Sequence, residues 1–330
     1  MKVCFIGAGR WAIALALHCR DIGMAVCLWE PESEYYRRLS STRRHPDLPD
    51  SRTIPDEVVL ARDMAAALAG ADLTVFAVPS AALAAAAANA APAIGKAATV
   101  VTVTKGIEPE SRQRLSRVLV KALHGRPVVV LAGPAIPRDF AAGDPTTLVA
   151  ASENEQAARA VAGALTGAGL RVYYSADVAG VELAAALKNV VAIAAGICDG
   201  IGLGINAKAA LLARGLAEMT RLGITQNANP LTFAGLAGMG DLVVTAFSPD
   251  SRNHRLGETI ASGLTLAQAR AELNGVAEGA TTALTARAMA ARAGIEMPVT
   301  EEVCRILYEG APVADSLKRL LARSPKKEVY

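Results

Sequence analysis

The stretch "VCFIGAGRWAIALALHCRDIG", residues 3–23, sets Gly7-Ala8-Gly9-Arg10-Trp11-Ala12 between a short apolar β-type run and an alanine-rich helical one. A strand that turns through glycines straight into a helix, and is followed by a second apolar run at Ala25–Trp29, makes a βαβ unit and calls for a parallel sheet. The spacing is GxGxxA, a variant of the dinucleotide fingerprint. Gly7 permits the tight turn, Gly9 lets backbone N–H groups at the helix N-terminus approach a pyrophosphate, and Ala12 lets helix pack closely on strand. Glu30 ends the second run, about 20 residues past the turn, where an acidic side chain holds the adenosine ribose hydroxyls of NAD. Such a carboxylate repels a 2′-phosphate, so NAD is the expected cofactor. Arg37, Arg38, Arg43 and Arg44 lie near enough in sequence to keep NADP possible.

The same alternation continues through the first half. Strands are expected at Val3–Ile6, Ala25–Trp29, Leu73–Val78, Thr99–Val103, Val128–Leu131 and Thr147–Ala150, with Arg171–Tyr174 as a late edge strand. Helical patterns separate them at Trp11–Ile22, Ala81–Ala91 and Arg112–Leu123, and the prolines of 43–56 mark a loop. Past Asp177 only helical periodicity remains: Val181–Cys198, Ala207–Leu222, Pro230–Leu236, Leu266–Leu273, Thr281–Ala293 and Thr300–Leu307. The expected architecture is α/β, a Rossmann-like doubly wound parallel sheet over residues 1–178 followed by an all-helical domain over 179–330. The polar tail, residues 323–330, is expected to fray.

Composition removes several classes of function. A net charge of +3, with no basic run interleaved with aromatics, gives no footprint for nucleic acid or a charged membrane surface. No run of about 20 apolar residues is expected to cross a membrane, and "MKVCFIGAG" is broken by glycine too soon for a signal peptide. The five cysteines have no CxxC spacing and an odd count, which fits a reduced, cytoplasmic setting with no disulfide framework. No metal is expected.

"LAAALKNVVAIAAGIC", residues 183–198, holds one charge, Lys188. Its helical neighbours Ala184, Ala185, Val191 and Ala192 are all apolar, so its own helix offers no polar path to water. Either the ammonium snorkels past small alanines, or it is desolvated, with a pKa brought toward the working range of an acid–base group. Lys105 follows the strand Thr99–Val103 and Gly133 follows Val128–Leu131, so both stand at the carboxyl-end crevice where open α/β sheets bind ligands. Asp241 follows a glycine-rich turn, and Ser251-Arg252-Asn253 opens a helical run to Ala261. A Ser251 cap with a guanidinium beside free N–H groups suits a phosphate dianion.

The blocks "GAGRWAIALA", "TKGIE", "GVELAAALKNVVAIAAGICDGIGLG", "NAKAALLARGLAEMTRLG", "GLAGMGDLVVT", "SRNHRLG" and "EMPVTEEVCRILYEG" together resemble the bacterial-type NAD(P)-dependent sn-glycerol-3-phosphate dehydrogenases. The resemblance runs in order over nearly the whole chain. It implies interconversion of glycerol 3-phosphate and dihydroxyacetone phosphate, which supplies glycerol 3-phosphate for phospholipid synthesis. It further implies Lys188 as general acid and base at the C2 oxygen, with Asp241 and Lys105 in the catalytic group. Lys105, Gly133, Ala135, Lys188, Asn189, Asp241, Thr245, Ser251, Arg252 and Asn253 would surround substrate. Gly7, Gly9, Arg10, Trp11, Glu30, Lys105, Pro137, Arg252, Val276 and Glu278 would face the dinucleotide. Arg10 and Ala12 stand where the family usually has serine and glycine, Ala135 lacks a hydroxyl usual there, Pro137 is new, and residue 30 is usually not acidic. A homodimer with a small phosphorylated substrate is implied. The alternative enzyme is a β-hydroxyacid or 6-phosphogluconate-type dehydrogenase, which also joins a Rossmann sheet to a helical part bearing a lysine.

Overall fold

A computed structural model describes residues 1–273, 275–324 and 327–328. Eight strands form one sheet: β1 (Lys2–Ile6), β2 (Ala25–Trp29), β3 (Val59–Ala61), β4 (Leu73–Phe76), β5 (Thr99–Thr102), β6 (Val128–Ala132), β7 (Thr146–Ala151) and β8 (Leu170–Ser175). Their order is β3-β2-β1-β4-β5-β6-β7-β8. The chain runs outward from β1 to β2 and β3, then returns to place β4 on the other flank of β1. This reversal opens a crevice beyond the carboxyl ends of β1 and β4. Alternate residues of β1 feed opposite faces: Val3 and Phe5 enter one apolar core, Cys4 and Ile6 another. Both faces are therefore covered, as a parallel sheet requires.

Two features depart from the expected sheet. β3 was not expected; its three residues leave too little pattern to read as a strand. Nor is the sheet wholly parallel, because β6 and β7 pair antiparallel, with Leu131 opposite Ala150. Their connection holds only the six-residue helix Pro137–Ala142, which does not carry the chain back across the sheet face. β8 is the edge strand beyond β7, as expected. The helix expected at Arg112–Leu123 begins later, at Leu115, since an Ile107–Arg114 bridge holds the preceding residues as a loop.

Beyond β8 the described residues form helices Val178–Gly200, Ile205–Ile224, Pro230–Ala234, Asp241–Phe247, Arg252–Ala261, Leu266–Glu272, Glu278–Ala293, Pro298–Glu309 and Val313–Leu321. The expected tail, residues 323–330, lies in part outside the described residues. Helix Val178–Gly200 is the axis of this half, started by the Asp177 carboxylate accepting from the Gly180 N–H at 2.9 Å. Contrary to the expectation that no segment has the length and apolarity of a span, this 23-residue helix has both, with 94% of its apolar window buried inside the fold. It is a core helix. Helix Arg252–Ala261 crosses it at bare backbone: a Cβ added to Gly196 would stand 1.9 Å from the His254 carbonyl oxygen, and one on Gly257 2.1 Å from that of Ile193. The glycine-rich turn at Leu236–Gly240 is a π-helical turn that runs directly into helix Asp241–Phe247.

Candidate active site

The crevice at β1 and β4 widens into a cleft of about 580 Å³ closed on its far side by the helical half. Gly7 ends β1 with φ 103°, and a Cβ there would press on the Ala77 carbonyl oxygen at 3.0 Å, so this turn needs glycine. Gly9 caps helix Arg10–Asp21 with no side-chain bond, and the space its Cβ would fill is open. A helix N-terminus therefore faces the cleft with room for a pyrophosphate against it. Glu30 lines the same end, its carboxylate accepting from the Ala8 N–H at 3.3 Å and the Glu32 N–H at 3.0 Å. Burial raises its pKa. These features fit a dinucleotide.

At the other end, Lys188 is 5% exposed. Its Nζ donates to Asp241 Oδ1 at 2.7 Å and to the Thr245 hydroxyl. Asp241 and Thr245 lie one turn apart on helix Asp241–Phe247 and present one face to it, and the Thr245 hydroxyl donates to the Asp241 carbonyl at 2.6 Å. Lys105 approaches from the sheet and donates to Asp241 Oδ2 at 2.6 Å and to the Gly133 carbonyl at 3.4 Å. Burial lowers the Lys188 pKa to about 7; the Asp241 charge opposes the shift, and the Lys105 charge reinforces it. Lys188 is thus the desolvated lysine rather than the snorkelling one.

Ser251 caps helix Arg252–Ala261, its hydroxyl accepting from the His254 N–H at 3.2 Å. The Arg252 guanidinium lies against the backbone at Gly275 and donates to the Val276 carbonyl at 3.4 Å, while its buried Nε has no partner among the described residues. Arg10 reaches over from the other half to donate to the Asp250 carbonyl at 3.2 Å. Burial, reinforced by the charge of Arg252, lowers its pKa to about 10. Two guanidinium groups and a helix N-terminus at one wall call for an anion.

The cleft brings together Gly7, Gly9, Arg10, Trp11, Glu30, Lys105, Ala135, Pro137, Lys188, Asn189, Thr245, Ser251, Arg252, Asn253, Val276 and Glu278. Gly133 and Asp241 stand immediately behind its wall, reached through Lys105. Pro137 opens helix Pro137–Ala142, where its missing N–H costs nothing. Asn189 and Asn253 also bond to each other, Nδ2 of Asn253 donating to Oδ1 of Asn189 at 2.9 Å, and Asn253 Oδ1 accepts from the Gly279 N–H at 2.9 Å. Sequence reasoning did not single out Ser80, whose N–H and hydroxyl occupy both oxygens of Glu278 at 3.0 and 2.5 Å. Its signal was its place just past β4, at the crevice mouth.

A mostly parallel sheet with a glycine turn at its reversal point, facing a helical half with a desolvated lysine beside an anion site, defines a nicotinamide-dependent dehydrogenase. The family models narrow it. Residues 2–158 match the NAD-dependent glycerol-3-phosphate dehydrogenase N-terminus and 177–318 the C-terminus of the same family. A glycerol-3-phosphate dehydrogenase (NAD(P)+) 2 of Salinibacter ruber is 45% identical over 99% of this chain and 96% of its own, and a glycerol-3-phosphate dehydrogenase (NAD(P)+) of Chlorobium phaeobacteroides is 40% identical over 100% and 99%. The crystal structure of glycerol-3-phosphate dehydrogenase from Coxiella burnetii superposes with a TM-score of 0.93 at 35% identity, covering 98% of this chain and 99% of that one. The chain belongs to the NAD(P)-dependent glycerol-3-phosphate dehydrogenase family. A D-mandelate dehydrogenase, at a TM-score of 0.62 and 12% identity, shares the fold alone.

Proposed function

We propose that Lys188 is the acid and base of the family reaction, which interconverts sn-glycerol 3-phosphate and dihydroxyacetone phosphate. When bound, the nicotinamide dinucleotide supplies the hydride to C2 or takes it back. In reduction, the Lys188 ammonium gives its proton to the C2 oxygen as the carbonyl becomes an alcohol; in oxidation, the free amine removes it. Asp241 holds Nζ in place through Oδ1 and ties Lys105 to the same carboxylate, so a second cation stands near the reacting oxygen. Arg252 and the N-terminus of helix Arg252–Ala261 take the phosphate, fixing C2 against Lys188. The observation that carries this reading is the contact of the buried Lys188 ammonium with Asp241 at the cleft wall.

The remaining roles follow from position: Gly7, Gly9 and Glu30 at the adenosine and pyrophosphate end, with NAD preferred, and Trp11, Pro137, Val276 and Glu278 along the dinucleotide. The division of labour falls at 178/179, with the sheet binding the dinucleotide and the helices binding substrate. A homodimer working in the cytoplasm is the assembly and setting in keeping with the five free cysteines and the family. The test follows NADH absorbance with dihydroxyacetone phosphate and, in parallel, with dihydroxyacetone. Turnover that requires the phosphate supports the reading, and equal turnover of both substrates overturns the phosphate assignment.

A further inference from the structure

The helix that carries Ser251, Arg252 and Asn253 is gripped from behind by charged groups that take no part in the chemistry above. His254 is its third residue. Its main-chain N–H completes the Ser251 cap, and its ring Nε2 lies 2.7 Å from Asp199 Oδ2. Asp199 stands near the end of helix Val178–Gly200, the helix of Lys188. The same oxygen accepts from Lys208 Nζ at 2.5 Å, and that ammonium sits 4.1 Å from the ring centroid of Phe247, at the end of the helix of Asp241 and Thr245. Lys208 and His254 are each 5% exposed. Although burial opposes ionisation, the bonds from Lys208 and His254 hold the Asp199 carboxyl below its ordinary pKa. One carboxylate thus ties the helices of Lys188 and Arg252 directly, and its partner Lys208, on helix Ile205–Ile224, rests against the helix of Asp241.

Helices Val178–Gly200 and Arg252–Ala261 cross in close contact beside this tie. At Gly196 and Gly257 backbone meets backbone, Leu256 and Ile260 share one apolar core with Ile193 and Ile197, and Asn253 bonds Asn189 at the cleft end. A short hydrogen bond to a charged group, placed just past that contact, adds a directional polar tie to this packing. We infer that Asp199 is a positioning residue for phosphate recognition, holding His254, and through it the Ser251-Arg252 turn, at a fixed distance from Lys188. This rests on the assignment of the substrate phosphate to that turn.

Two variants test it in the full chain. His254→Leu removes the ring N–H and leaves Asp199 paired with Lys208; Asp199→Asn with Lys208→Met removes the carboxylate without stranding a buried ammonium. In either folded variant, KM for dihydroxyacetone phosphate is expected to rise about tenfold. The kcat, the NADH Kd and kcat/KM for unphosphorylated dihydroxyacetone should stay within about twofold, since no bond to those groups changes. An unchanged KM for the phosphate overturns the inference, as does an equal loss on both ketones, which marks a general loosening. If the unmodified enzyme does not prefer the phosphorylated ketone, the phosphate assignment itself falls and this inference with it.

Discussion

Lys105 and Lys188 come from the sheet and the helical half and donate to opposite oxygens of one buried carboxylate, Lys105 to Asp241 Oδ2 at 2.6 Å and Lys188 to Oδ1 at 2.7 Å. One negative charge between two ammonium groups leaves the trio with a net positive charge in a low-dielectric pocket. Burial makes Lys188 give up its proton more readily, the Asp241 charge opposes this and the Lys105 charge adds to it, and its pKa falls to about 7.

The direction of catalysis should therefore show in the pH profile. Reduction needs the Lys188 ammonium, so kcat for dihydroxyacetone phosphate reduction should fall as pH rises through about 7. Oxidation of glycerol 3-phosphate needs the free amine, so its kcat should rise through the same region. Asp241→Asn removes the charge that opposes the shift, and the inflection should move to lower pH in both directions. Rate profiles in the two directions, with saturating substrates, would check this; parallel profiles would remove Lys188 from the proton transfer.

Lys188→Met keeps the linear stem and removes the titrating head. General acid–base catalysis contributes about 10²–10⁴-fold, so kcat should drop by at least about 10²-fold with NADH Kd nearly preserved. Stability carries its own signature. A lysine pKa lowered by folding means that the unfolded chain holds the proton more tightly, so this group's contribution to stability rises with pH between about 7 and 10.5. The methionine variant should melt higher than the unmodified protein near pH 6, and the gap should narrow by pH 9. Thermal melts across that range are the measurement, and a gap independent of pH counts against the lowered pKa.

Much of this site was legible along the chain because its parts are local. The glycine turn, the apolar run around Lys188 and the Ser251 cap each announce themselves within one or two helical turns. What stayed hidden depends on tertiary contact. Helix Asp241–Phe247 contains Val243, Val244 and Thr245, β-branched residues with weak helix preference, and it forms because the π-helical turn at Leu236–Gly240 feeds directly into it. The antiparallel β6–β7 pair is fixed by a connection too short to cross the sheet. The Ser80–Glu278 clasp and the Asp199–His254 bond join residues far apart in sequence, and no periodicity encodes such a meeting.

Arg252 offers a test of geometry against charge. Its guanidinium lies against Gly275, with a buried Nε that lacks a partner among the described residues. Arg252→Lys keeps one positive charge and loses the planar fork. KM for dihydroxyacetone phosphate should rise about tenfold or more, while turnover of dihydroxyacetone stays at its low basal level. Steady-state kinetics on the two ketones decide it. If KM for the phosphate is unchanged, the phosphate is held elsewhere along the wall, and Arg10 becomes the nearer candidate.

Glu30 sets the last expectation, a preference for NADH over NADPH. Its carboxylate is pinned by the Ala8 and Glu32 N–H groups, so it cannot swing clear of a 2′-phosphate placed beside it. Two of the neighbouring arginines are engaged elsewhere. Arg43 donates to the carbonyls of Ile54, Pro55 and Val58, and Arg37 donates to that of Ser33. Arg38 lies over the ring of Tyr35, a cleft residue, at 5.2 Å. Replacing Glu30 with alanine removes the repulsion and the ribose acceptor together, so kcat/KM should fall with NADH and rise with NADPH. Comparing both cofactors in the unmodified and Glu30→Ala enzymes settles the point: an NADPH preference already present in the unmodified enzyme, and unmoved by the substitution, would assign the selection to the nearby arginines instead.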